Sequence, residues 1–86
     1  MKIKDGYLLK NVASNFVVVP VGDLNFDGLI SLNESGALLW ERLEKGAEAE
    51  DLILALTEEY GIESDLARRD VEAFLDSLRT AELIDE

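Results

Sequence analysis

Carboxylates are the only groups that this sequence offers in quantity for acid–base chemistry. The 86 residues include 19 Asp and Glu, 8 Lys and Arg, no His and no Cys, which gives a net charge of −11 at pH 7. Without His the usual general base near neutral pH is missing, and without Cys there is no thiolate nucleophile, zinc-thiolate site or disulfide. The composition therefore argues against most classes of enzyme.

Neighbouring carboxylates occur at Glu58-Glu59, at Asp70 with Glu72, and within residues 48–51. A catalytic pair requires that burial raise the pKa of one carboxyl while its neighbour stays ionised. The apolar spacing around these residues instead predicts that they lie on the solvent sides of helices. We therefore expect no catalytic residue, no metal site and no cofactor.

Two short motifs have spacings that are found in functional sites. Residues 23–28 alternate Asp, Asn and Asp before a Gly, and Glu34 stands where the twelfth residue of an EF-hand calcium loop would be. Strand-like residues flank this segment, so we interpret it as a turn, although cation binding there stays open. Asp76-Ser77-Leu78 resembles the motif of acyl carrier proteins whose serine bears a phosphopantetheine arm. Ser77 falls well inside a predicted helix, whereas that serine opens one.

The elements that must position any site differ between the two parts of the chain. Residues 7–12, 16–21 and 29–32 are rich in aromatic, Leu and β-branched residues, which predicts a three-stranded antiparallel sheet. From residue 34 the apolar spacing is helical, with Asn33 as the expected N-cap and Gly46 as the end of the first helix. The sequence predicts one α+β domain over residues 1–86, with strands in 1–33 and helices in 34–86.

The second helix is expected over about residues 48–60, and the third over about residues 65–81 with Ser64 as its N-cap. Leu83-Ile84 forms an apolar tail that could fold back onto the core. The expected buried residues of the three helices are Leu39, Trp40, Leu43, Leu52, Ile53, Leu56, Tyr60, Ala67, Val71, Phe74, Leu75 and Leu78.

The charge lies entirely in the helical part of the chain. Residues 1–33 carry three Lys and three Asp, whereas residues 34–86 carry five basic and sixteen acidic residues. The second and third helices could form a winged helix-turn-helix with Arg68 and Arg69 near the start of the third. The surrounding acids would repel a phosphate backbone, so we expect no nucleic acid partner.

No apolar stretch is long enough to cross a bilayer, and the first residues lack the apolar region of a secretory signal. A cytoplasmic protein with no membrane partner is therefore expected.

The order and spacing of residues across nearly the whole chain resemble the PqqD family, which is named for pyrroloquinoline quinone biosynthesis protein D. Residues 30–36 correspond to that family's strand and its Leu-Asn-x-(Thr/Ser)-Gly turn. The other matching residues are Ala37 to Trp40 with Leu43, Glu50 to Leu52, Leu56, Tyr60-Gly61, Asp70-Val71, Phe74-Leu75, Leu78 and Leu83-Ile84. Ala47-Glu48 and Glu82 depart from the family's pattern at positions that concern helix capping.

The resemblance implies a non-catalytic domain that binds the leader of a ribosomally made precursor peptide. It would present that peptide to a modifying enzyme, such as a radical S-adenosylmethionine enzyme. The leader would add an antiparallel strand to the third strand, and selectivity would come from pockets between that strand and the third helix. The residues expected to bind the peptide are Leu29, Ile30, Ser31, Leu32, Arg68, Arg69, Val71, Glu72, Leu75 and Arg79.

The acidic surface predicts a leader in which Lys or Arg flanks an apolar anchor. The alternative function is a protein–protein adaptor derived from a winged-helix domain that contacts its partner through the acidic helices. The open strand edge is also compatible with a homodimer. The peptide and the modifying enzyme are not specified by the sequence.

Overall fold

The computed structural model describes residues 1–13, 15–21 and 30–86, and in these residues strands precede the helices except at the C-terminal end. The elements are β1 (Lys2–Ile3), β2 (Tyr7–Val12), β3 (Asn15–Pro20), β4 (Ile30–Leu32), α1 (Glu34–Lys45), α2 (Ala49–Tyr60), α3 (Ser64–Thr80) and β5 (Ile84–Asp85). The predicted α+β fold, a three-stranded antiparallel sheet followed by three helices, is confirmed.

β2, β3 and β4 form the main sheet in that order, and both pairings are antiparallel. Val18 in the central strand pairs with Leu9 on one side and Ile30 on the other, and it is completely buried. Directly paired residues lie on the same face of a sheet, so Leu9 and Ile30 also face the helices. Ser31 pairs with Val17 and lies on the outer face.

Helix boundaries follow from local capping. The Oδ1 of Asn33 accepts a hydrogen bond of 2.8 Å from the backbone N–H of Gly36, so Asn33 caps α1 as predicted. At the start of α2 the backbone N–H of Glu48 donates to Oδ2 of Asp51 at 2.9 Å. The prediction that Ser64 caps α3 is wrong by one residue. Glu63 is the N-cap, since its carbonyl already accepts the first helical bond from the N–H of Ala67 at 2.9 Å.

The core lies between the inner face of the main sheet and the apolar stripes of the three helices. Its completely enclosed large side chains are Val18, Trp40, Leu43, Leu52, Leu56, Val71, Leu78 and Leu83. Two of the residues expected in the core are not fully buried. Tyr60, the last residue of α2, is 41% exposed, and Phe74 packs against the edge of the core while keeping part of its ring exposed.

A second, two-stranded sheet joins the two ends of the chain. β1 pairs antiparallel with β5, and the N–H of Lys4 donates to the carbonyl of Leu83 at 2.9 Å. Leu83 and Ile84 are buried, so the apolar tail does fold onto the core. Two-residue strands carry too little periodicity to be recognised from sequence. No helix in the described part of the chain is long and apolar enough to cross a membrane.

Arg79 in α3 binds Glu86 of the C-terminal segment through a bidentate ion pair. Its Nε and Nη2 each donate to a carboxylate oxygen of Glu86 at 2.8 Å, and its Nη1 donates to Asp76 at 2.9 Å. Hydrogen bonding from Arg79 lowers the pKa of Glu86, against a smaller opposing effect of desolvation. The folded state therefore favours ionised Glu86.

We predict that Glu86→Gln lowers stability at neutral pH and that its deficit shrinks in acid. Because the pKa of Glu86 is lower in the folded than in the unfolded state, its contribution is present above the unfolded pKa and is lost as pH falls through the folded pKa. Urea unfolding of both proteins over a pH series measures this. Asp85→Asn is the control, since it removes the adjacent carboxylate. A deficit of Glu86→Gln that does not change with pH would contradict the prediction.

We predict that Asn33→Ala lowers the free energy of unfolding by about 1 kcal/mol, because the amide of Gly36 loses its capping acceptor. Asn33→Asp is the matched control, since it keeps an oxygen in the same place. Urea unfolding followed by circular dichroism provides the measurement. Equal losses in the two variants would show that the cap is not the source of the stability.

Candidate functional site

Among the strands of the described residues, β4 has a partner along one edge and none along the other. It pairs with β3 along Phe16 to Val18, and no strand in residues 1–13, 15–21 or 30–86 pairs along its other side. Successive residues of a strand direct their N–H and C=O groups to alternate sides, so some of these groups on β4 face the open edge. Such an edge can accept one further strand.

Gly36, in the first turn of α1, lies where β4, α1 and α3 converge. A Cβ atom placed on it would be 3.1 Å from Oδ1 of Asn33, 3.3 Å from Cβ of Leu32 and 3.5 Å from Cε1 of Phe74. A hydrogen at this position leaves these three groups undisturbed. The missing side chain therefore avoids crowding of Asn33 and Leu32, and the ring of Phe74 lies at an ordinary contact distance from this position.

A depression with a volume of about 230 Å³ opens beside Gly36, between the start of α1 and the middle of α3. Its base includes the buried side chains of Leu39 and Leu56, and Phe74 lines it as well. Polar groups are contributed by Asn33, Ser35 and Asp70. The depression thus combines an apolar surface with one carboxylate.

A second depression adjoins the first at the C-terminal end of α2. It shares Asn33, Ser35, Leu56 and Asp70 with the first and adds the side chains of Glu34, Tyr60 and Ile62. Desolvation raises the pKa of the Tyr60 hydroxyl, and the carboxylates of Glu34 and Glu59 raise it further. This corner of the surface is therefore electronegative, as the charge distribution in the sequence predicts.

The predicted residues on β4 take two orientations. Ile30 and Leu32 lie half-buried on the inner face, whereas Ser31 is exposed on the outer face. Leu29 lies outside the described residues, as does the whole turn at 23–28. Among the described residues, no group of three or more acidic side chains is arranged to hold a metal ion.

The predicted residues on α3 divide between the core and the flank of the helix that lies away from Gly36. Val71 and Leu75 are buried, with 0% and 3% exposure, and have almost no surface for a ligand in this conformation. Arg68 donates to Glu50 of α2 at 3.0 Å, and Arg79 binds Asp76 and Glu86.

Arg69 and Glu72 complete the predicted set on α3, and both side chains are exposed. In the described part of the chain neither lies within ion-pair distance of an opposite charge. Both are therefore accessible to solvent and to a partner.

The flank of α3 that faces Gly36 is formed by Asp70 and Phe74. Each residue of a helix is turned by about 100° from the preceding one, so Phe74 and Glu72 emerge on opposite sides of the buried stripe that contains Val71. Sequence reasoning placed Phe74 in the core and did not assign Asp70 to the site. Their spacing of four residues, beside Val71 and Leu75, is the signal that places them on one flank.

Ser77, the serine of the motif that resembles a carrier protein, is exposed in the fourth turn of α3. Its hydroxyl donates to the carbonyl of Phe74 at 2.7 Å. A serine in the middle of a helix lacks the helix-opening position that the carrier motif requires.

Comparisons with known proteins agree with this architecture. The family described as "Coenzyme PQQ synthesis protein D (PqqD)" matches residues 17–84. The solved structure "TbiB1 in Complex with the TbiA(beta) Leader Peptide" is 27% identical, with a TM-score of 0.78 over 99% of this chain and 95% of that chain.

A second solved structure, "Lasso peptide synthetase B1 complexed with the leader peptide", is 25% identical. Its TM-score is 0.74, over 95% of this chain and 93% of that chain. Among curated proteins, none matches this sequence. Since the family match spans most of the residues and includes β4 and all three helices, this chain belongs to the PqqD family.

Proposed function

We propose that this chain is a non-catalytic domain that binds the leader of a ribosomally made precursor peptide and presents it to a modifying enzyme. The observation that carries the proposal is the open edge of β4 in the described residues, beside a depression with an apolar base. TbiB1 and lasso peptide synthetase B1, which share its fold over nearly their whole length, are both described in complex with leader peptides.

The proposed mode of binding is addition of an antiparallel strand to β4. Main-chain hydrogen bonds along the edge would supply affinity that tolerates different leader sequences, since every residue except proline has the same backbone donor and acceptor. Side chains of the leader that point inward would meet Ile30 and Leu32, which are only half-buried in the free protein. Phe74 would contact the same side chains from α3.

The roles of the α3 residues follow from their positions. Val71 and Leu75 would support the groove from within the core, because their side chains are enclosed. Arg68 and Arg79 already neutralise Glu50 and Glu86, so binding of an acidic leader residue would compete with existing ion pairs. Arg69 and Glu72 are exposed on the flank of α3 away from Gly36, so only peptide residues that extend beyond the groove and around the helix would contact them.

The modifying enzyme would be a tailoring enzyme such as a radical S-adenosylmethionine enzyme, and we expect the encounter in the cytoplasm. The whole chain, residues 1–86, would act as one binding domain. A backbone edge and a depression with an apolar base are features that can hold a peptide.

We predict that one of two proline variants, Ile30→Pro or Ser31→Pro, abolishes leader binding while far-ultraviolet dichroism is largely retained. Adjacent amides point to opposite edges, so one variant removes an amide on the open edge and the other removes a bond to β3. Where a short precursor gene adjoins the gene of this chain, the probe is a labelled synthetic peptide of its leader, titrated by fluorescence anisotropy.

Ser31→Ala is the control, because it keeps the backbone amide and changes only a side chain on the outer face. Its affinity should equal that of the unchanged protein. Strand addition would be refuted if both proline variants folded and still bound the leader with unchanged affinity. No binding by the unchanged protein would instead favour the adaptor alternative.

A further inference from the structure

The direction of the added strand determines which part of a leader reaches the depression beside Gly36. β4 runs from Ile30 to Leu32, so an antiparallel partner has its earlier residues opposite Leu32. The chain of the leader that precedes the paired segment then passes Asn33, which lines both depressions. The depression is thus continuous with the edge on which the proposed function depends.

The surfaces of the depression suit a long side chain with a charged end. The partly exposed ring of Phe74 offers apolar contact, and the carboxylate of Asp70 lines the same space. Lys and Arg bury an aliphatic stem against apolar surface while their charged group stays at the rim. A purely aliphatic side chain would leave Asp70 without a partner, and an acidic one would be repelled by it.

The local charge also favours a cation. Among the described residues, neither Asp70 nor Glu34 lies within ion-pair distance of a basic group. The N-terminal end of α1 carries a partial positive charge, which attracts anions. However, the N–H of Gly36 already donates to Asn33, and the carboxylate of Glu34 lies in the same turn. The start of α1 therefore does not attract an anion to the depression.

The basic residues of α3 do not cancel this charge. Arg68 and Arg79 are held by Glu50 and Glu86 on the opposite flank. Arg69 directly precedes Asp70 in the sequence, and its side chain is turned from that of Asp70 by about 100° around the helix axis. The carboxylate of Asp70 therefore faces the depression without a neutralising neighbour on its own flank.

We propose that this depression selects leaders with a Lys or Arg immediately before the strand-paired segment, and that Asp70 determines this specificity. The proposal rests on the proposed function, because it requires a peptide paired with β4. It extends that function by stating the class of leader and the position of its basic residue.

The test is a selection of random-sequence displayed peptides on the immobilised full chain and on two variants. Asp70→Asn removes the carboxylate and keeps the size of the side chain. Glu44→Gln, on the exposed surface of α1 away from the depression, removes the same charge and serves as the control. Peptides selected on the unchanged protein and on Glu44→Gln should share a Lys or Arg before an apolar anchor, and those selected on Asp70→Asn should not.

A selected peptide then allows a double-mutant cycle. Replacing its basic residue by Met should weaken binding to the unchanged protein by about fivefold, as expected for a partly exposed ion pair, and should have little effect on Asp70→Asn. Asp70→Lys should reverse the preference and enrich Asp or Glu at that position.

Failure of this inference and failure of the proposed function give different results. The inference would be overturned if the selected peptides shared an apolar anchor but no Lys or Arg before it. It would also be overturned if the effects of the peptide substitution and of Asp70→Asn were additive. Either result would leave leader binding intact. If no peptides were enriched, or if the enriched peptides bound both proline variants of β4 as well as the unchanged protein, the proposed function itself would fail.

Discussion

Gly36 sits at the point where β4 ends and α1 begins, beside Phe74 of α3. A side chain there would crowd Asn33 and Leu32, whose nearest atoms are 3.1 and 3.3 Å from the position of a Cβ. Asn33 both ends the strand segment and caps the helix, so one residue sets the angle at which the chain turns from sheet to α1. Leu32 and Phe74 both lie close to Gly36, and Gly36 and Phe74 line the adjoining depression. Behind it, Val18 of β3 and Val71 of α3 are completely buried in one core, which connects the sheet that carries β4 to α3.

The molecule separates its charge from its open backbone edge. The strand-rich part of the sequence is formally neutral, and all of the net charge belongs to residues 34–86. A peptide added to β4 would therefore form backbone hydrogen bonds in a neutral environment and would meet carboxylates only where it passes the start of α1 and the flank of α3. Affinity and selectivity would then have separate physical origins, one in main-chain bonds that accept any residue and the other in charge and pocket shape.

Much of the fold could be predicted because local chemistry dominates it. The change of apolar period at residue 33, the capping amide of Asn33 and the glycine after α1 each act over a few residues, and each prediction agreed with the structure. The β1–β5 pair was missed because its two strands are short and far apart in sequence.

The candidate site was only partly anticipated. The strand segment was recognised, whereas Phe74 was taken for core and Asp70 was left out, since periodicity gives the buried stripe of a helix but not which flank meets which neighbour.

The sequence by itself determined the class of fold, the absence of thiol and imidazole chemistry, and the acidity of the helical part, because composition and local spacing are properties of the chain alone. Only the tertiary structure decided that Arg68 and Arg79 are occupied by Glu50 and Glu86, that Val71 and Leu75 are enclosed, and that Asp70 and Phe74 lie beside the end of β4. The physical reason is that these relations depend on how α3 is rotated and packed against α1 and the sheet. That rotation is set by the fit of the whole core around Gly36 and Trp40, to which residues from every part of the chain contribute.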